Sequence, residues 1–318
     1  MKLVVIIPAL NEEKTIQTVI NNIPKNIPSI TEQEVIVIND GSTDQTKSLA
    51  QDAGAFVVSH GKPQGVGAAF HTGLETALRH NADLIVTLDG DGQFNPQDIP
   101  ALIQPILSGL ASFASATRFA DPKLIPHMPA IKIWGNQMVT NLVNFLTGKK
   151  FTDCSCGFRA YTRDAALRLI LFGKFTYTQE TLIDLAYKNI SMNEVPLSIR
   201  GQRQHGHSRV AHNIFRYAIK SAAIMFRTAR DYRPFYFFGI PGLIITGLGL
   251  VGALFLLIHF LSTGVTAPFR SLVTISGALI ITGVVLFSLS MLADMQHRNR
   301  LLLEELLYLT RQKTYQKK

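Results

Sequence analysis

Residues 84–93 read LIVTLDGDGQ, a run of strand-forming residues followed directly by two aspartates with one glycine between them. Such a run predicts a strand buried on both faces, as in a parallel sheet. Asp89 and Asp91 would stand at its carboxyl end, where the glycines allow a tight turn. Two carboxylates at this spacing can share one hard divalent cation. Substrate phosphates and water would complete the coordination shell of that cation. The alternative is a solvated turn that binds nothing.

Strand-like and helix-like segments alternate on both sides of this stretch. Further strands are predicted at 3–7, 34–39, 56–59 and 112–115, and helices at 11–23, 65–79, 97–107 and in a segment that ends near Ala53. This order predicts an α/β fold with a mainly parallel, Rossmann-like sheet and right-handed crossovers. Ligands bind beyond the carboxyl ends of the strands in such sheets. We therefore expect Asn11, Asp40 and Asp89 to lie at one edge.

The chain contains few charged residues, and its longest apolar runs lie in its last third. Its 318 residues carry 17% charged residues, against about 25% in usual soluble domains. Residues 235–261 and 271–293 contain no Asp, Glu, Lys or Arg, and each run is long enough to cross a bilayer as a helix. A buried soluble hairpin is the alternative. Because cations flank the pair of runs, both termini and the first domain are predicted to be cytoplasmic.

Two further segments allow two interpretations each. Asp40-Gly41-Ser42-Thr43-Asp44 is either a helix cap, with Ser42 or Thr43 as the capping residue, or a carboxylate that contacts a nucleobase or ribose. Residues 61–67, GKPQGVG, are either a phosphate-binding loop before a helix or simply a flexible loop.

Taken in order, these motifs resemble those of the inverting family 2 glycosyltransferases with the GT-A fold. The matching segments are PALNEE at 8–13, VIVINDGSTD at 35–44, GVGAA at 65–69 and DGDGQ at 89–93. DCSCGFRAY at 153–161 resembles a segment of the polyprenyl-phosphate branch, which includes dolichol-phosphate mannose synthases and bacterial undecaprenyl-phosphate glycosyltransferases. The resemblance covers roughly residues 1–210.

The resemblance implies a role for each matching position. Expected around the nucleotide-sugar are Pro8, Asn11, Glu12, Asp40, Gly67, Asp89, Gly90 and Arg118. Expected to hold Mg²⁺ or Mn²⁺ are Asp89, Asp91 and Gln93. Expected at the reaction centre are Asp153, Asp91 and Arg203, and at the lipid phosphate Lys132, Arg203 and Arg209. Two departures stand out: Asn39 replaces an aspartate of many relatives, and residues 130–146 contain no arginine.

The function implied is the inverting transfer of one sugar from a nucleotide-sugar, UDP-glucose or a related UDP-sugar, to undecaprenyl phosphate at the cytoplasmic face. A mannose synthase that uses GDP-mannose is the first alternative, and a non-catalytic membrane scaffold that binds nucleotide or lipid is the second. A processive polysaccharide synthase is disfavoured, because the single tryptophan, Trp134, leaves no Gln-x-x-Arg-Trp motif. Expected partners are the nucleotide-sugar, polyprenyl phosphate, membrane lipid, further copies of the chain and a downstream flippase or glycosyltransferase, but no nucleic acid.

These observations predict four regions. They are a GT-A domain at 1–210, an interfacial helix at 211–234, a transmembrane hairpin at 235–293 and a basic amphipathic tail at 294–318, which serves self-association or lies on the membrane. Residues 131–146 are either a second interfacial helix or a core-facing one. Cys154 and Cys156 are predicted to be free thiols in a reducing cytoplasm, since two cysteines make neither a disulfide scaffold nor a good zinc site.

Overall fold

A computed structural model describes residues 1–171, 177–201, 226, 230, 232 and 234–316. The chain forms two compact units. One contains Met1–Met225 together with Leu307–Lys318, and the other contains Phe226–Leu306.

The first unit is built on one seven-stranded sheet. Its strands are β1 (Lys2–Ala9), β2 (Glu32–Asn39), β3 (Phe56–Ser59), β4 (Leu84–Thr87), β5 (Phe113–Thr117), β6 (Arg159–Thr162) and β7 (Met192–Pro196). Their spatial order is β3-β2-β1-β4-β6-β5-β7. All neighbours are parallel except that β6 runs antiparallel to β4 and β5. The predicted mainly parallel sheet is confirmed, and β6 and β7 are strands that the sequence analysis did not identify.

Helices connect the strands. They are α1 (Ile16–Asn21), α2 (Thr46–Asp52), α3 (Val66–Arg79), α4 (Ile99–Leu107), α5 (Ala130–Thr147), α6 (Arg163–Arg168) and α7 (Thr178–Tyr187). The first is shorter than the predicted 11–23 because the backbone before it bonds elsewhere. Asn11 takes a left-handed φ of 51°. Its amide and that of Glu12 donate to side chains after β2, so neither enters a helix.

The core lies on both faces of the central strands. Leu3 to Ile7 on β1 are fully buried, as are the four residues of β4. The packing of α3 on β1 is especially close, because a Cβ on Gly73 would overlap the side chain of Ile6. The same Cβ would lie 3.2 Å from Ile38 on β2, so α3 is packed tightly against both β1 and β2.

The second unit contains the long apolar helix α8 (Ile240–Thr263) and, up to Leu306, a second long helix, α9 (Arg270–Thr314). A π-helical turn, Phe235–Gly239, precedes α8. By length and composition, Phe235–Thr263 and Arg270–Thr314 are candidate membrane spans. Glycines let the two backbones approach closely: a Cβ on Gly242 would lie 2.8 Å from the amide nitrogen of Phe287. α9 does not end at the predicted boundary of Ala293 but continues to Thr314.

The end of the chain, from Leu307, packs on α6 in the first unit. The Tyr308 hydroxyl donates to Asp164 at 2.6 Å, and its ring lies 3.9 Å from the Arg168 guanidinium. Nη1 of Arg311 donates to the carbonyl oxygens of Leu167 at 3.2 Å and Leu169 at 2.8 Å. The last carbonyls of a helix lack partners within it and carry partial negative charge. Arg311 therefore caps the carboxyl end of α6.

We expect Arg311→Ala to loosen α6. Its loss removes two hydrogen bonds from a cation, worth about 1–2 kcal/mol, which corresponds to faster amide exchange by roughly tenfold over residues 163–169. Hydrogen exchange read by mass spectrometry measures this directly. The matched control is Lys313→Ala, because Lys313 is exposed on the same helix. Equal protection of α6 in the two variants would contradict the capping role.

Candidate active site

The candidate site lies at the sheet edge where the carboxyl ends of the parallel strands meet, here called the carboxyl edge. Asp89 follows β4 and Arg118 follows β5. Asp153 comes before β6, and because β6 is antiparallel, the residues before it lie at this same edge. Topology thus brings together three predicted site residues that are distant in sequence.

The two aspartates after β4 are held by their own turn. Asp91 is 2% exposed, and its Oδ1 accepts the Gln93 amide at 3.0 Å. The buried Gly90 carbonyl accepts from the Thr15 hydroxyl at 2.6 Å, which ties the turn to α1. Asp89 is half-buried beside Gly157, where a Cβ would lie 3.4 Å from its Oδ2. The 153–161 segment therefore passes close to this carboxylate.

The donor set suits a hard divalent cation. Carboxylate oxygens are the ligands that Mg²⁺ and Mn²⁺ prefer. The described residues contain no group of three or more His, Cys, Asp or Glu that could hold a metal alone. A cation here would thus need oxygens from a substrate or water. The Gln93 side chain donates to the Arg200 carbonyl at 3.1 Å and so joins the turn to the segment after β7; its metal role stays a prediction.

Asp40 contacts the loop before α3. Its side chain is 4% exposed. Oδ1 accepts the Gln64 amide at 2.9 Å and lies 2.7 Å from Nδ1 of His60, while Oδ2 accepts the Gly65 amide at 2.8 Å. The carboxylate therefore supports this loop, and its contact with a nucleobase or ribose stays a prediction. Gly67 is the second residue of α3 and is buried.

The expectation that Ser42 or Thr43 caps α2 is wrong, although Asp44 Oδ1 accepts the Thr46 amide at 3.0 Å. α2 begins at Thr46, and Gln45 precedes it without a side-chain cap. The Ser42 hydroxyl instead accepts the Asn11 amide at 2.9 Å, and Asn11 Oδ1 accepts the Thr43 amide at 2.8 Å. The loops after β1 and β2 are thus bonded to each other. Asn39 supports the same turn, since its Oδ1 accepts the Ser42 amide at 3.1 Å.

The predicted donor-site residues of β1 lie where these loops meet. Pro8 is in the strand and Asn11 and Glu12 follow it, all three half-buried. The Glu12 amide donates to the Thr46 hydroxyl at 2.8 Å. Their contact with a nucleotide stays a prediction.

Arg118 and Asp153 form a bidentate ion pair. Nε of Arg118 donates to Oδ2 of Asp153 at 2.6 Å, and Nη2 donates to Oδ1 at 2.9 Å. Nη2 also lies 2.7 Å from the Ser155 hydroxyl, which accepts from it. Asp153 is fully buried, whereas Arg118 is half-buried. The pair therefore fixes a guanidinium group at the carboxyl edge with its orientation determined.

Glu194 on β7 holds the backbone that carries Asp153, and the sequence analysis missed it. Its carboxylate accepts the amides of Thr152 at 2.8 Å and Asp153 at 3.0 Å, and the Thr152 hydroxyl at 3.0 Å. Burial raises the pKa of Glu194, although these hydrogen bonds oppose the shift. An acid inside a strand-forming run was the only signal in the sequence.

The predicted lipid-phosphate residues are only partly described. Lys132 lies exposed on α5, close to its start. Arg203 and Arg209 lie outside the described residues. All three assignments stay predictions.

Comparison with known proteins now identifies the family. The sequence model of the family named Glycosyl transferase family 2 matches residues 4–169. The chain is a family 2 glycosyltransferase. The expected family, fold class and enzyme class are thereby confirmed.

The named relatives match different shares of this glycosyltransferase. UDP-N-acetylglucosamine–dolichyl-phosphate N-acetylglucosaminyltransferase of Methanococcus voltae is 31% identical, over 60% of this chain and 83% of the relative. Dodecaprenyl-phosphate galacturonate synthase of Rhizobium johnstonii is 24% identical, over 93% of this chain and 87% of the relative. A crystal structure of glucosyl-3-phosphoglycerate synthase from Mycobacterium tuberculosis, with Mn²⁺, UDP and glucosyl-3-phosphoglycerate, has a TM-score of 0.57 at 23% identity over 72% of this chain and 80% of that one. The last likeness shows the GT-A fold.

The two cysteines of the glycosyltransferase are buried free thiols, as predicted. Burial raises the pKa of both Cys154 and Cys156 to about 12. The thiolate is the reactive form, so both thiols are inert at neutral pH. They pack beside Asp153 without taking part in chemistry.

We expect neither cysteine to react with a disulfide reagent in the folded enzyme at pH 7.5. With a pKa of about 12, roughly three thiols in 10⁵ would be ionised, so labelling should be detectable only after denaturation. Lys47→Cys, at an exposed position of α2, is the control that labels fast. Native labelling of Cys154 or Cys156 at the rate of that control would refute the burial argument.

Proposed function

We propose that this glycosyltransferase moves one sugar from a nucleotide-sugar to a polyprenyl phosphate, with inversion, at the cytoplasmic face of a membrane. The observation that carries the proposal is the position of the Asp89–Asp91 pair at the same edge as the Arg118–Asp153 ion pair. One group suits a cation that binds a diphosphate, and the other presents a fixed positive charge. A donor phosphate and an acceptor phosphate need these two features.

The relatives support this acceptor class. Two of those described above, from distant organisms, are named for transfer to or synthesis on a polyprenyl phosphate. The relative named for a UDP-sugar favours a UDP-sugar donor here. GDP-mannose stays the alternative donor. A non-catalytic scaffold is disfavoured, since both acidic residues and the ion pair are intact.

In this proposal, Asp89 and Asp91 hold Mg²⁺ or Mn²⁺. The bound ion would offset the charge of the diphosphate leaving group. The turn that carries the two aspartates is fixed through Thr15 and Gln93, so their carboxylates need little rearrangement on binding. Preorganised charge of this kind stabilises a transition state more than groups that must first reorient.

Arg118 was predicted to contact the nucleotide-sugar; we propose instead that it faces the acceptor phosphate, because its ion pair places it beside Asp153, the residue expected at the reaction centre. An acceptor oxygen attacks the anomeric carbon from the face opposite the leaving group, the bond from that carbon to the diphosphate oxygen breaks, and the configuration inverts. The acceptor oxygens are already anionic near pH 7, so a strong general base is unnecessary. Asp153 could position the acceptor, contact the sugar or act as a base. Its two bonds to Arg118 favour the first role, in which it orients the acceptor through that guanidinium.

The outer face of α5 is proposed to contact the bilayer. Five apolar residues form an exposed stripe along one face of this helix: Ile131, Trp134, Met138, Leu142 and Phe145. Phe145 is 81% exposed and Trp134 is 61% exposed. A continuous apolar stripe marks an interaction surface, and tryptophan favours membrane interfaces. Lys132, Lys149 and Lys150 at the two ends suit anionic headgroups. The stripe favours the interfacial alternative for residues 131–146.

We expect purified enzyme in nanodiscs with undecaprenyl phosphate to transfer label from one radioactive nucleotide-sugar into the lipid extract. UDP-glucose, UDP-N-acetylglucosamine and GDP-mannose form the panel. Chelation of divalent ions should abolish transfer and Mn²⁺ should restore it. Asp91→Asn should lower kcat by roughly 100-fold or more, since it removes a charge that holds the ion.

The matched control for that variant is Asp52→Asn, because Asp52 is exposed on α2. Mn²⁺ binding, measured by electron paramagnetic resonance, gives a readout independent of turnover and should weaken only in Asp91→Asn. Full transfer in chelator, or equal Mn²⁺ affinity in both variants, would remove the metal from the proposal.

We expect brominated phospholipids to quench Trp134 fluorescence in the reconstituted enzyme. The assignment is unambiguous, because the chain has one tryptophan. The control is Trp134→Phe combined with Leu110→Trp, which moves the fluorophore to an exposed loop before β5 and should escape quenching. Equal quenching at the two positions, or none at Trp134, would rule out lipid contact by α5.

A further inference from the structure

The inner face of α5 carries a row of polar side chains. Asn136, Thr140 and Asn144 are spaced four residues apart, so they lie above one another on a single helix face, roughly opposite the apolar stripe. We call these three residues the polar row. Each of them bonds to the segment 151–155, which carries Asp153.

Asn144 makes the strongest of these contacts. Its Nδ2 donates to the Phe151 carbonyl at 2.8 Å, and its Oδ1 accepts the Phe151 amide at 2.7 Å. The side chain thus satisfies both backbone groups of one residue, as a neighbouring strand would. One turn earlier, the Thr140 hydroxyl, fully buried, accepts the Cys154 amide at 3.3 Å.

Asn136 completes the row at the ion pair itself. Its Oδ1 accepts the Ser155 hydroxyl at 2.6 Å, and that hydroxyl accepts Nη2 of Arg118 at 2.7 Å. A continuous chain of hydrogen bonds therefore joins α5 to the Arg118 guanidinium through Ser155. Networks of this kind hold side chains in one arrangement more firmly than single bonds do.

Glu194 holds the same segment from the other side. It binds the amides of Thr152 and Asp153, which lie between the residues held by the polar row. The backbone around Asp153 is thus fixed between α5 and β7. Asn144 makes no described hydrogen bond to Arg118 or Asp153, and Glu194 contacts Asp153 through the Asp153 backbone amide and not through the Asp153 carboxylate.

We infer that the polar row and Glu194 are positioning residues for the Arg118–Asp153 pair, and that α5 couples lipid contact on its outer face to sugar transfer at its inner face. The inference rests on the proposed function, which supplies the lipid and the reaction. The physical reason is geometric. A helix moves as a rigid body, so a shift of the apolar stripe on the bilayer displaces the polar row and the segment bonded to it. A displacement of about 1 Å near reacting groups can cost up to roughly 100-fold in rate.

The first test compares Asn144→Ala with Asn141→Ala in nanodiscs. Asn141 is exposed on the same helix and its side chain bonds only Gln137 in the described contacts, so it is the matched control. We expect Asn144→Ala to lower kcat by roughly 10- to 100-fold. Its KM for the nucleotide-sugar and its affinity for UDP with Mn²⁺ should stay at the values of the control. Asn144→Asp keeps only the acceptor half of the contact and should give an intermediate kcat.

Retained UDP affinity shows that the variant is folded. Should Asn144→Ala fail to fold, Glu194→Gln examines the same segment from β7 and should lower kcat with the same unchanged donor KM. A donor KM that rises together with the fall in kcat would indicate general damage and overturn the positioning role. Equal kcat in Asn144→Ala and Asn141→Ala would also overturn it.

The second test addresses lipid contact. A water-soluble, short-chain prenyl phosphate is used as acceptor with enzyme in detergent and in anionic nanodiscs. The wild type should be faster in nanodiscs, and Asn144→Ala should show the same rate in both. Equal stimulation of the two proteins by the bilayer would refute the coupling. If the wild type transfers no sugar to any polyprenyl phosphate, both the proposed function and this inference are wrong. If the wild type is active but the variants do not behave as expected, only the inference is wrong.

Discussion

The ion pair between Arg118 and the buried Asp153 is the interaction on which the arrangement of side chains at the carboxyl edge depends. A carboxylate without exposed surface is costly unless its oxygens are paired. Here the oxygens receive the guanidinium and the backbone amides of Arg118 and Ser155. Because Arg118 follows β5 and Asp153 precedes β6, the pair also locks the antiparallel strand against its neighbour. Fold and site are thus stabilised by the same contact.

The sequence was sufficient for the parts of the fold that local pattern determines. β1 and β4 were predicted within two residues, because a strand buried on both faces is a continuous apolar run. β3 was predicted at the residues where it occurs, since its short run of Phe and Val favours a strand even at a partly exposed position. β6 was missed because it begins with a fully buried arginine. The Arg159 Nη1 and Nη2 groups donate to the carbonyls of Thr178 and Cys154, and partners of that kind are invisible to a local pattern.

The candidate site likewise has parts that a local sequence pattern reveals and parts that it does not. The Asp89–Asp91 pair and Asp153 were found because their motifs are contiguous. Asp40 has an equally suggestive position after β2, and its oxygens also contact His60 and the amides of Gln64 and Gly65. An acid at a strand end can bind a ligand and support the neighbouring loop as well, and a local pattern does not show the distant partners of the second role. Glu194 illustrates the reverse case: it belongs to no recognisable motif, yet it supports the segment that carries Asp153.

The two faces of α5 differ in chemistry, and each is suited to a different neighbour. An ordinary surface helix turns its apolar residues to the core and its polar residues to water. α5 places three polar side chains against a backbone segment of its own domain and much of its apolar surface outside. The polar row is satisfied only while the 151–155 segment is in place, and the apolar stripe gains free energy only where water is excluded. A helix built in this way is most stable when the catalytic segment and the lipid are engaged together, which is the condition under which a membrane-bound acceptor can be used.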